Sequence, residues 1–254
     1  MFRIVIPARH ASTRLPGKVL RVIGGKPMLQ WVYERACAAG ALEVLIAADD
    51  ERIVRAAQGF GAVALLTAAS HASGTDRIAE VARVRGWVAD AIVVNVQADE
   101  PLLPPALIGQ VAALLAAERE ADIGTLATPV ASLAELLDPN VVKVVTDAAR
   151  RALYFSRAPI PWNRDGAAAG LASQRDAGGA RRHLGLYAYR VAALLRLASL
   201  PESVLEQRER LEQLRALEQG LRIVVADAAE PPGPDVNTLA DLERVSALLT
   251  ASAR

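Results

Sequence analysis

Short apolar runs alternate with longer segments of helical periodicity through the first half of the chain. The apolar runs, which predict β-strands, are residues 2–6, 44–48, 63–67 and 91–96. The periodic segments, which predict helices, are residues 27–40, 50–58 and 75–85, and a further helix follows Pro104. Because strands and helices alternate, we predict an α/β fold with a mostly parallel, doubly wound sheet that carries helices on both faces.

The second half has a different pattern, in which β segments follow one another more closely. They are residues 123–129, 141–146, 152–156 and 183–189, and they predict a mixed sheet. Residues 159–182 are rich in Pro, Gly, Ala and Arg, which predicts a long loop that is mobile or contacts a partner. Helices are expected over residues 204–218, with a capping box of Ser203 and Glu206 and a stop at Gly220, and over residues 239–249.

Composition narrows the class of protein. The 254 residues can bury a full hydrophobic core, and a formal net charge of +1 gives no reason to expect nucleic acid as a partner. No apolar run approaches about 18 residues, so we expect neither a membrane span nor a signal peptide. The single Cys37 excludes an internal disulfide and a cysteine zinc site, and we expect it to be buried on its helix. We therefore expect a cytoplasmic protein.

Candidate chemistry begins in the loop after the first strand. Arg9, Arg14 and Lys18 give this loop three cations, and residues 7–18 contain no acid. Pro7 is expected to end the strand, which places the loop at the edge of the sheet where ligands bind in open α/β folds. The cations therefore favour a polyphosphate ligand, and the alternative is a merely basic surface loop.

Two common nucleotide motifs are excluded in this loop. Ser12 stands six residues before Lys18, where a P-loop has Gly, and Val19 stands where it has Ser or Thr. No G-x-G-x-x-G follows the first strand, so a nicotinamide or flavin cofactor has little support.

Acidic residues follow the strand at residues 91–96. Asp99 and Glu100 should emerge on the same sheet edge as the cationic loop, which suits a magnesium ion shared with nucleotide phosphates. Asp99 is the first candidate for a metal ligand. The alternative is that both acids cap the helix after Pro104, and Glu100 is the better candidate for that cap.

Two further segments carry candidate polar side chains. Gly74 would let the backbone approach a base or ribose, although Ser73 or Thr75 is equally explained as an ordinary helix N-cap. Asp235 and Asn237 are two residues apart in an extended segment, so their side chains point the same way.

That second segment has two interpretations. In the first, one of its side chains completes a metal site with Asp99. In the second, the segment only caps the last helix, through either Asn237 or Thr238.

Six blocks of the sequence occur in the order known from one enzyme family. They are IPARHASTRLPGK (6–18), GKPM (25–28), VNVQADEP (94–101), YFSRAPIPW (154–162), HLGLYAYR (183–190) and LEQLR (211–215). With these blocks the chain resembles the 3-deoxy-manno-octulosonate cytidylyltransferases almost from end to end. The resemblance implies a nucleotide-diphospho-sugar transferase fold of the glycosyltransferase A-like kind, as a single domain over residues 1–254. It implies nucleotide binding by residues 1–120, and sugar binding and dimerisation through a mixed β part by residues 121–254.

The resemblance also implies a reaction and its partners. CMP is transferred from CTP to 3-deoxy-D-manno-octulosonate (Kdo), which gives CMP-Kdo and pyrophosphate for lipopolysaccharide biosynthesis. Mg²⁺ is the expected cofactor and a homodimer the expected assembly, with neither nucleic acid nor membrane as a partner. Two alternatives stay open, namely a sister enzyme that uses N-acylneuraminate or an amino-substituted Kdo, and a nucleotide-binding module without catalysis.

Site residues carried over by position fall into four groups. The catalytic group is Lys18, Arg14 and Asp99, and the nucleotide-binding group is Ala8, Arg9, Ser12, Arg14, Lys18, Ser73, Gly74, Arg77 and Gln97. The sugar-binding group is Arg157, His183, Tyr187, Glu212 and Gln213, and the metal-binding group is Asp99, Asn237 and Asp235. From the residues alone, His183 and Tyr187 share one face of a strand, and each is equally explained as a structural side chain.

Three positions depart from the family pattern. Ala98 replaces a Gly, which adds a methyl group near the nucleotide and restricts the backbone. Val19 replaces a common Pro. Asn237 replaces the second metal-binding Asp and offers an oxygen without charge, so Asp235 is an alternative source of the carboxylate.

Overall fold

A single nine-stranded sheet runs through the molecule. The computed structural model describes residues 1–11, 15–167, 169–170 and 176–252. The strands are β1 (Phe2–Ala8), β2 (Val22–Ile23), β3 (Lys26–Pro27), β4 (Val44–Ala48), β5 (Val63–Leu66), β6 (Ile92–Asn95), β7 (Ile123–Pro129), β8 (Lys143–Thr146), β9 (Ala152–Ser156), β10 (Arg181–Arg190) and β11 (Ile223–Asp227). Strands β2 and β3 form a separate two-stranded sheet.

Helices cover both faces of the large sheet. They are α1 (Met28–Cys37), α2 (Glu51–Gly59), α3 (Gly74–Val84), α4 (Pro105–Ala117), α5 (Leu133–Leu137), α6 (Val191–Ser199), α7 (Val204–Glu209), α8 (Gln213–Glu218) and α9 (Leu239–Ser252). One buried apolar cluster contains residues of α1, α2, α4 and α9, and the other contains residues of α3, α6 and α8. The doubly wound arrangement predicted from the alternating pattern is confirmed.

The strand order explains why the two halves of the sequence look different. Along the sheet the order is β11-β7-β10-β6-β1-β4-β5, and β8 pairs with β9 and β10. Strands β6, β1, β4 and β5 are parallel neighbours, whereas β10 runs antiparallel to both β6 and β7. The carboxyl ends of β1 and β6 therefore lie side by side, and a strand of the second half enters the sheet beside them.

Strand β1 does not end before Pro7, as the sequence suggested, but continues to Ala8. The Ala8 carbonyl accepts a hydrogen bond from the Asp49 amide on the β4 side, and the Val5 carbonyl accepts one from the Val96 amide on the β6 side. Peptide groups thus alternate between the two neighbours, and Pro7 faces the β6 side beyond the end of that strand. Its missing N–H therefore costs no hydrogen bond of the sheet.

The single helix predicted over residues 204–218 is wrong. Helix α7 ends at Glu209, Arg210 adopts a left-handed φ of 53°, and α8 begins at Gln213. The predicted capping box at the start of α7 is present. Because the chain turns at Arg210, Glu212 and Gln213 lie at the start of a new helix instead of in the middle of a long one.

Other elements also differ from the expectation. The sequence patterns do not predict α6 or β11, although both are rich in apolar residues and β11 pairs in parallel with β7. Cys37 is exposed at the end of α1 and not buried. The predicted loop over residues 159–182 contains a short 3-10 helix, Asp165–Ala167, and β10 begins within it, while residues 168 and 171–175 lie outside the described part.

No helix in the described residues is long and apolar enough to cross a membrane.

Candidate functional site

Lys18 joins three segments that are far apart in the sequence. Gly17 has a left-handed φ of 66° and starts the short 3-10 helix Lys18–Leu20 in the loop after β1. The Lys18 ammonium donates a hydrogen bond of 2.8 Å to Asp99 Oδ2 and one of 2.9 Å to the Val236 carbonyl. The Val236 amide in turn donates to the Asp99 carbonyl at 2.9 Å. The cationic loop and the acidic loop therefore meet at the sheet edge, together with the tail segment before α9.

The tail segment reaches Asp99 because its backbone packs closely on the loop after β6. A Cβ atom at Gly233 would lie 2.4 Å from the Leu102 carbonyl oxygen, a distance that no side chain tolerates. Beyond this point the Asn237 side-chain amide donates to Asp235 Oδ2. Asp235 and Asn237, both predicted as metal ligands, are therefore neighbours on either side of Val236, whose amide bonds to the Asp99 carbonyl.

The end of this segment resolves the capping alternative. The Thr238 hydroxyl accepts a hydrogen bond from the Asp241 amide, and the Asp241 carboxylate accepts bonds from the amides of Asn237 and Thr238. Thr238 thus caps α9, while the Asn237 side chain contacts Asp235.

The oxygen donors around Asp99 suit a hard divalent cation. Asp99 and Asp235 offer carboxylates and Asn237 an amide, and Asp99 Oδ1 accepts no hydrogen bond from the described residues. No group of three or more His, Cys, Asp and Glu side chains in this part of the chain is arranged to hold a metal. Mg²⁺ keeps several waters and commonly uses one or two carboxylates together with substrate phosphates. The donor set therefore fits Mg²⁺ shared with a nucleotide.

Glu100 does not cap α4, and neither does Asp99. Pro104 occupies the N-cap position of that helix, which has no side-chain cap hydrogen bond. Burial, reinforced by the charges of Asp99 and Asp235, raises the pKa of Glu100 to about 8. Glu100 lines a cavity of about 540 Å³ together with Arg182 and Asp235.

The first turn of α3 approaches the end of β1. Ser73 is the N-cap, and its hydroxyl accepts a hydrogen bond of 3.1 Å from the Asp76 amide in a capping box. At Gly74 a Cβ atom would lie 3.2 Å from the Pro7 side chain, which is closer than most side chains tolerate. The capping interpretation of Ser73 is thus correct, and Gly74 brings the helix start close to the sheet edge.

A smaller cavity of about 160 Å³ lies between α3, the end of β6, β10 and α8. It is lined by Gly74, Thr75, Asn95, Gln97, Ile123, Tyr187, Tyr189, Leu197, Glu212 and Gln213. Two residues of the predicted nucleotide group and three of the predicted sugar group therefore share one cavity. The break between α7 and α8 is what delivers Glu212 and Gln213 to it.

Buried ionisable groups make this cavity a polar site in an apolar setting. Burial raises the pKa of the Glu212 carboxyl, while hydrogen bonds from the Thr75 and Ser73 hydroxyls act in the opposite direction. Burial also raises the pKa values of Tyr187 and Tyr189 well above the usual value, so both hydroxyls stay protonated. The two tyrosine hydroxyls therefore offer neutral hydrogen-bonding groups to this cavity.

A β-bulge in β10 sets the position of His183 beside Tyr187. The pairing of β10 with β7 shifts between Leu184 and Tyr187, and the Thr125 hydroxyl lies 3.1 and 2.8 Å from the Leu184 and Leu186 carbonyls. Thr125 Oγ1 also lies 3.0 Å from His183 Nε2. The His183 and Tyr187 rings are in contact, with centroids 5.2 Å apart. Both thus lie on one face, as the strand pattern indicated.

Burial lowers the pKa of His183 to about 3, so its imidazole is neutral at ordinary pH. The hydroxyl of Thr125 has one proton, which it donates to a bulge carbonyl, and its oxygen can then accept from His183. This arrangement favours the tautomer of His183 with its proton on Nε2. His183 lines the larger cavity, and its ring contacts that of Tyr187, which lines the smaller one.

Arg157 does not line either cavity. Its Nε donates to the Glu209 carbonyl at 2.6 Å and its Nη1 to the Pro139 carbonyl at 2.9 Å. The buried Lys143 ammonium donates to the Arg157 carbonyl at 2.7 Å. These contacts hold Arg157 between the segment before β8 and the end of α7.

The remaining residues of the nucleotide group have different positions. Ala8 is buried at the end of β1, and Arg9 is exposed. Arg77 is fully buried, and its Nη1 donates to the Thr67 hydroxyl and to the Ala68 carbonyl. Burial lowers the Arg77 pKa.

Ser12 and Arg14 were also predicted as site residues. Both lie outside the described residues.

Two departures from the family pattern are accommodated in the core. Ala98 is buried in the apolar cluster of α1, α2, α4 and α9, and its φ is not positive. Val19 belongs to the same cluster. The extra methyl group of Ala98 therefore packs in the core and lines neither cavity.

Several functional candidates escaped the sequence analysis. Asn95 and Thr125 are buried polar residues within apolar strands, and Gly233 lies in a Pro-rich segment. A polar side chain in an otherwise apolar strand is a usable signal, since burying it is unfavourable unless it has a partner or a function. Nothing in the sequence around Gly233 reveals its close contact.

Comparisons with known proteins place this site in a family. The family model described as "Cytidylyltransferase" matches residues 3–223. A 3-deoxy-manno-octulosonate cytidylyltransferase of Thioalkalivibrio sulfidiphilus is 55% identical over 98% of this chain and 99% of its own. The same named enzyme of Pseudomonas fluorescens is 57% identical over 98% of both chains. The chain belongs to the 3-deoxy-manno-octulosonate cytidylyltransferase family.

Solved structures agree with this membership. A CMP:2-keto-3-deoxy-manno-octonic acid synthetase complexed with CTP is 42% identical, with a TM-score of 0.88 over 99% of this chain and 100% of that one. A 4-diphosphocytidyl-2C-methyl-D-erythritol synthase is 14% identical, with a TM-score of 0.62 over 97% of each chain, and shows the fold alone. The fold predicted from the sequence is thus the fold of the cytidylyltransferase family.

Proposed function

We propose that this chain transfers CMP from CTP to Kdo, which gives CMP-Kdo and pyrophosphate. The contact of Lys18 with Asp99 and Val236 carries the proposal, because it joins a cation and a carboxylate at the sheet edge beside the cavity. An arrangement of a cation next to a carboxylate suits a metal-bound triphosphate. The names of the relatives support Kdo as the acceptor over N-acylneuraminate or an amino-substituted Kdo.

The reaction needs positioning more than covalent chemistry. The anomeric hydroxyl oxygen of Kdo attacks the α-phosphorus of CTP, a P–O bond forms, and the bond to the departing pyrophosphate oxygen breaks. The hydroxyl proton is released, and no covalent intermediate with the protein is required. Attacking and leaving oxygens must lie in line at phosphorus, so the protein acts chiefly by aligning its substrates and neutralising charge.

Lys18 has the central electrostatic role in this proposal. Its ammonium can neutralise the negative charge that grows on the leaving pyrophosphate, and it holds the Asp99 carboxylate in place. Asp99 with Asn237 or Asp235 would hold Mg²⁺, which when bound neutralises phosphate oxygens and lowers the pKa of the sugar hydroxyl. Arg14 is predicted to assist Lys18.

The sugar is assigned to the cavity of about 160 Å³. Tyr187, Glu212 and Gln213 line this cavity with polar groups, and His183 contacts the Tyr187 ring. Such groups suit a polyhydroxylated acceptor because they donate and accept hydrogen bonds without a large desolvation cost. Arg157 stays a predicted contact of the sugar carboxylate.

The wider setting is part of the proposal. A homodimer, a role in lipopolysaccharide biosynthesis and a cytoplasmic location follow from the resemblance and the sequence, and they stay predictions. The division into a nucleotide-binding part, residues 1–120, and a sugar-binding part, residues 121–254, is a prediction of the same kind.

A direct assay tests the proposed reaction. The purified full chain is incubated with CTP, Mg²⁺ and either Kdo, an amino-substituted Kdo or N-acetylneuraminate, and pyrophosphate and the CMP-sugar are measured. We expect product with Kdo at a rate far above the other sugars, and none after addition of excess EDTA. UTP in place of CTP is the nucleotide control.

Two results would contradict the proposal. Faster turnover with another sugar would reassign the acceptor, and CTP binding without turnover of any sugar would indicate a nucleotide-binding module.

A further inference from the structure

Two buried polar atoms next to the proposed sugar site have no partner. Asn95 and Tyr187 are 4% and 9% exposed, yet Asn95 Oδ1 and the Tyr187 hydroxyl make no hydrogen bond within the described residues. An unsatisfied buried polar atom costs roughly 1–3 kcal/mol, so two of them together at one place require an explanation. A ligand that supplies the missing hydrogen bonds is one such explanation.

The two side chains are direct neighbours. Asn95 on β6 and Tyr187 on β10 are paired residues of antiparallel strands, and cross-strand partners project from the same face of a sheet. Both line the cavity of about 160 Å³, which is large enough for about five water molecules. The unpartnered atoms therefore face one shared space that a small polar group can enter.

Some polar side chains at this cavity already have partners. The Thr75 hydroxyl interacts with Glu212 and Tyr189, and the Ser73 hydroxyl interacts with Glu212. Among the described residues that line the cavity, Asn95 Oδ1 and the Tyr187 hydroxyl are the fully buried polar atoms without a partner.

The chemistry of the pair selects one kind of ligand group. An amide oxygen only accepts hydrogen bonds, whereas a protonated tyrosine hydroxyl can donate one. A ligand hydroxyl can donate to the first and accept from the second at the same time. A carboxylate or phosphate oxygen has no proton to donate, so it would leave Asn95 Oδ1 without a partner.

We propose that Asn95 is a specificity-determining residue that, together with Tyr187, binds one hydroxyl group of the sugar acceptor. This inference rests on the proposed function, since it places the sugar in this cavity. The pair rejects acceptors that lack the hydroxyl, because binding them leaves both buried atoms unpaired.

The test combines variants of the protein with variants of the sugar. Steady-state kinetics are measured for the wild type, Asn95→Ala, Tyr187→Phe and the double variant, with Kdo and with a set of Kdo analogues that each lack one hydroxyl. We expect Asn95→Ala to raise the KM for Kdo about tenfold and to leave the KM for CTP within twofold. For the analogue that lacks the bound hydroxyl, the wild type should show the same rise in KM. Asn95→Ala should raise the KM for that analogue no further.

Controls separate binding from folding. Asn140→Ala removes an exposed asparagine and should leave both KM values unchanged. Asn95→Leu keeps the branching of the side chain at Cγ without its polar atoms and serves if the alanine variant does not fold, and thermal unfolding of every variant is recorded. Tyr187→Phe removes only the hydroxyl and should match Asn95→Ala in its pattern across the analogues.

The outcomes distinguish this inference from the proposed function. If the wild type converts Kdo, two results would show that the role of Asn95 is wrong while the proposed function stands. In the first, Asn95→Ala and Asn95→Leu raise the KM by the same factor with every analogue. In the second, they raise the KM for CTP instead. If the wild type converts none of the sugars, the proposed function falls and this inference falls with it. Loss of discrimination at one hydroxyl supports both.

Discussion

At the scale of single residues, Lys18 is the side chain on which the site depends most. Its side chain is 13% exposed and connects the loop after β1 with Asp99 and with the tail segment. Replacing Lys18 by Ala removes a cation at the leaving group, so we expect kcat to fall by about 100-fold or more, whereas the affinity for the sugar changes little. Steady-state kinetics and calorimetric binding of Kdo measure the two effects.

Lys26 offers a matched control for this substitution. It pairs with Glu34 on the surface and lies over the ring of Trp31. Lys26→Ala should leave kcat unchanged. Nearly normal turnover of Lys18→Ala would remove Lys18 from the catalytic role.

The neutral state of His183 has a consequence for stability in acid. Its folded pKa of about 3 is below the value of about 6.5 in an unfolded chain, so below pH 6.5 the unfolded state takes up a proton that the folded state does not. The free energy of unfolding should therefore fall as the pH falls from about 6.5 towards 3. Between pH 7 and pH 5 we expect the wild type to lose about 2 kcal/mol more than His183→Gln, measured by urea unfolding.

An NMR measurement provides the check on His183. The 15N chemical shifts of the two His183 ring nitrogens should indicate a neutral imidazole with its proton on Nε2 at pH 5. Equal pH dependence of the wild type and His183→Gln, or a charged ring at that pH, would contradict the assignment.

At the scale of elements, the break between α7 and α8 brings Glu212 and Gln213 to the cavity of about 160 Å³. Arg210 has a φ of 53°, which costs free energy for a residue other than Gly. Arg210→Gly should therefore raise the free energy of unfolding by about 0.5–1 kcal/mol and leave the KM for Kdo unchanged. Arg208→Gly, within α7, is the control and should lower stability by about 1 kcal/mol.

These two glycine variants differ only in their backbone setting. If both lower the stability equally, the left-handed turn at Arg210 is not the feature that ends α7.

At the scale of the whole molecule, the chain closes its site by bringing the tail segment back onto the loop after β6. Gly233 makes this contact possible, since a Cβ atom there would overlap the Leu102 carbonyl oxygen. Gly233→Ala must displace the backbone, so we expect a loss of about 1–3 kcal/mol in stability and a larger loss of kcat than of sugar affinity. We expect kcat to fall because Val236 and Asn237 would move away from Asp99.

Gly59→Ala is the control for the tail variant. Gly59 is the last residue of α2, and a Cβ atom there meets no neighbour within 4 Å. Its stability should be equal to or slightly above that of the wild type. Wild-type kinetics in Gly233→Ala would contradict the role of the tail contact.

Much of the fold was predictable because its signals are local. Alternating strands and helices in the first half indicated the parallel sheet, and the approach of Lys18 to Asp99 followed from the rule that strand ends share one edge. The continuation of β1 through Pro7 was not predictable, because it depends on where the neighbouring strand ends. The break at Arg210 was missed since its helix periodicity is uninterrupted in the sequence.

The sequence by itself determined the fold class, the charged loops at the sheet edge and the family, because these depend on periodicity and on motifs that are contiguous in the chain. Tertiary structure alone decided the shape of the cavity of about 160 Å³, the pairing of Asn95 with Tyr187 and the need for Gly at position 233. Each of these depends on contacts between residues far apart in the chain, and such contacts are set by strand register and backbone packing.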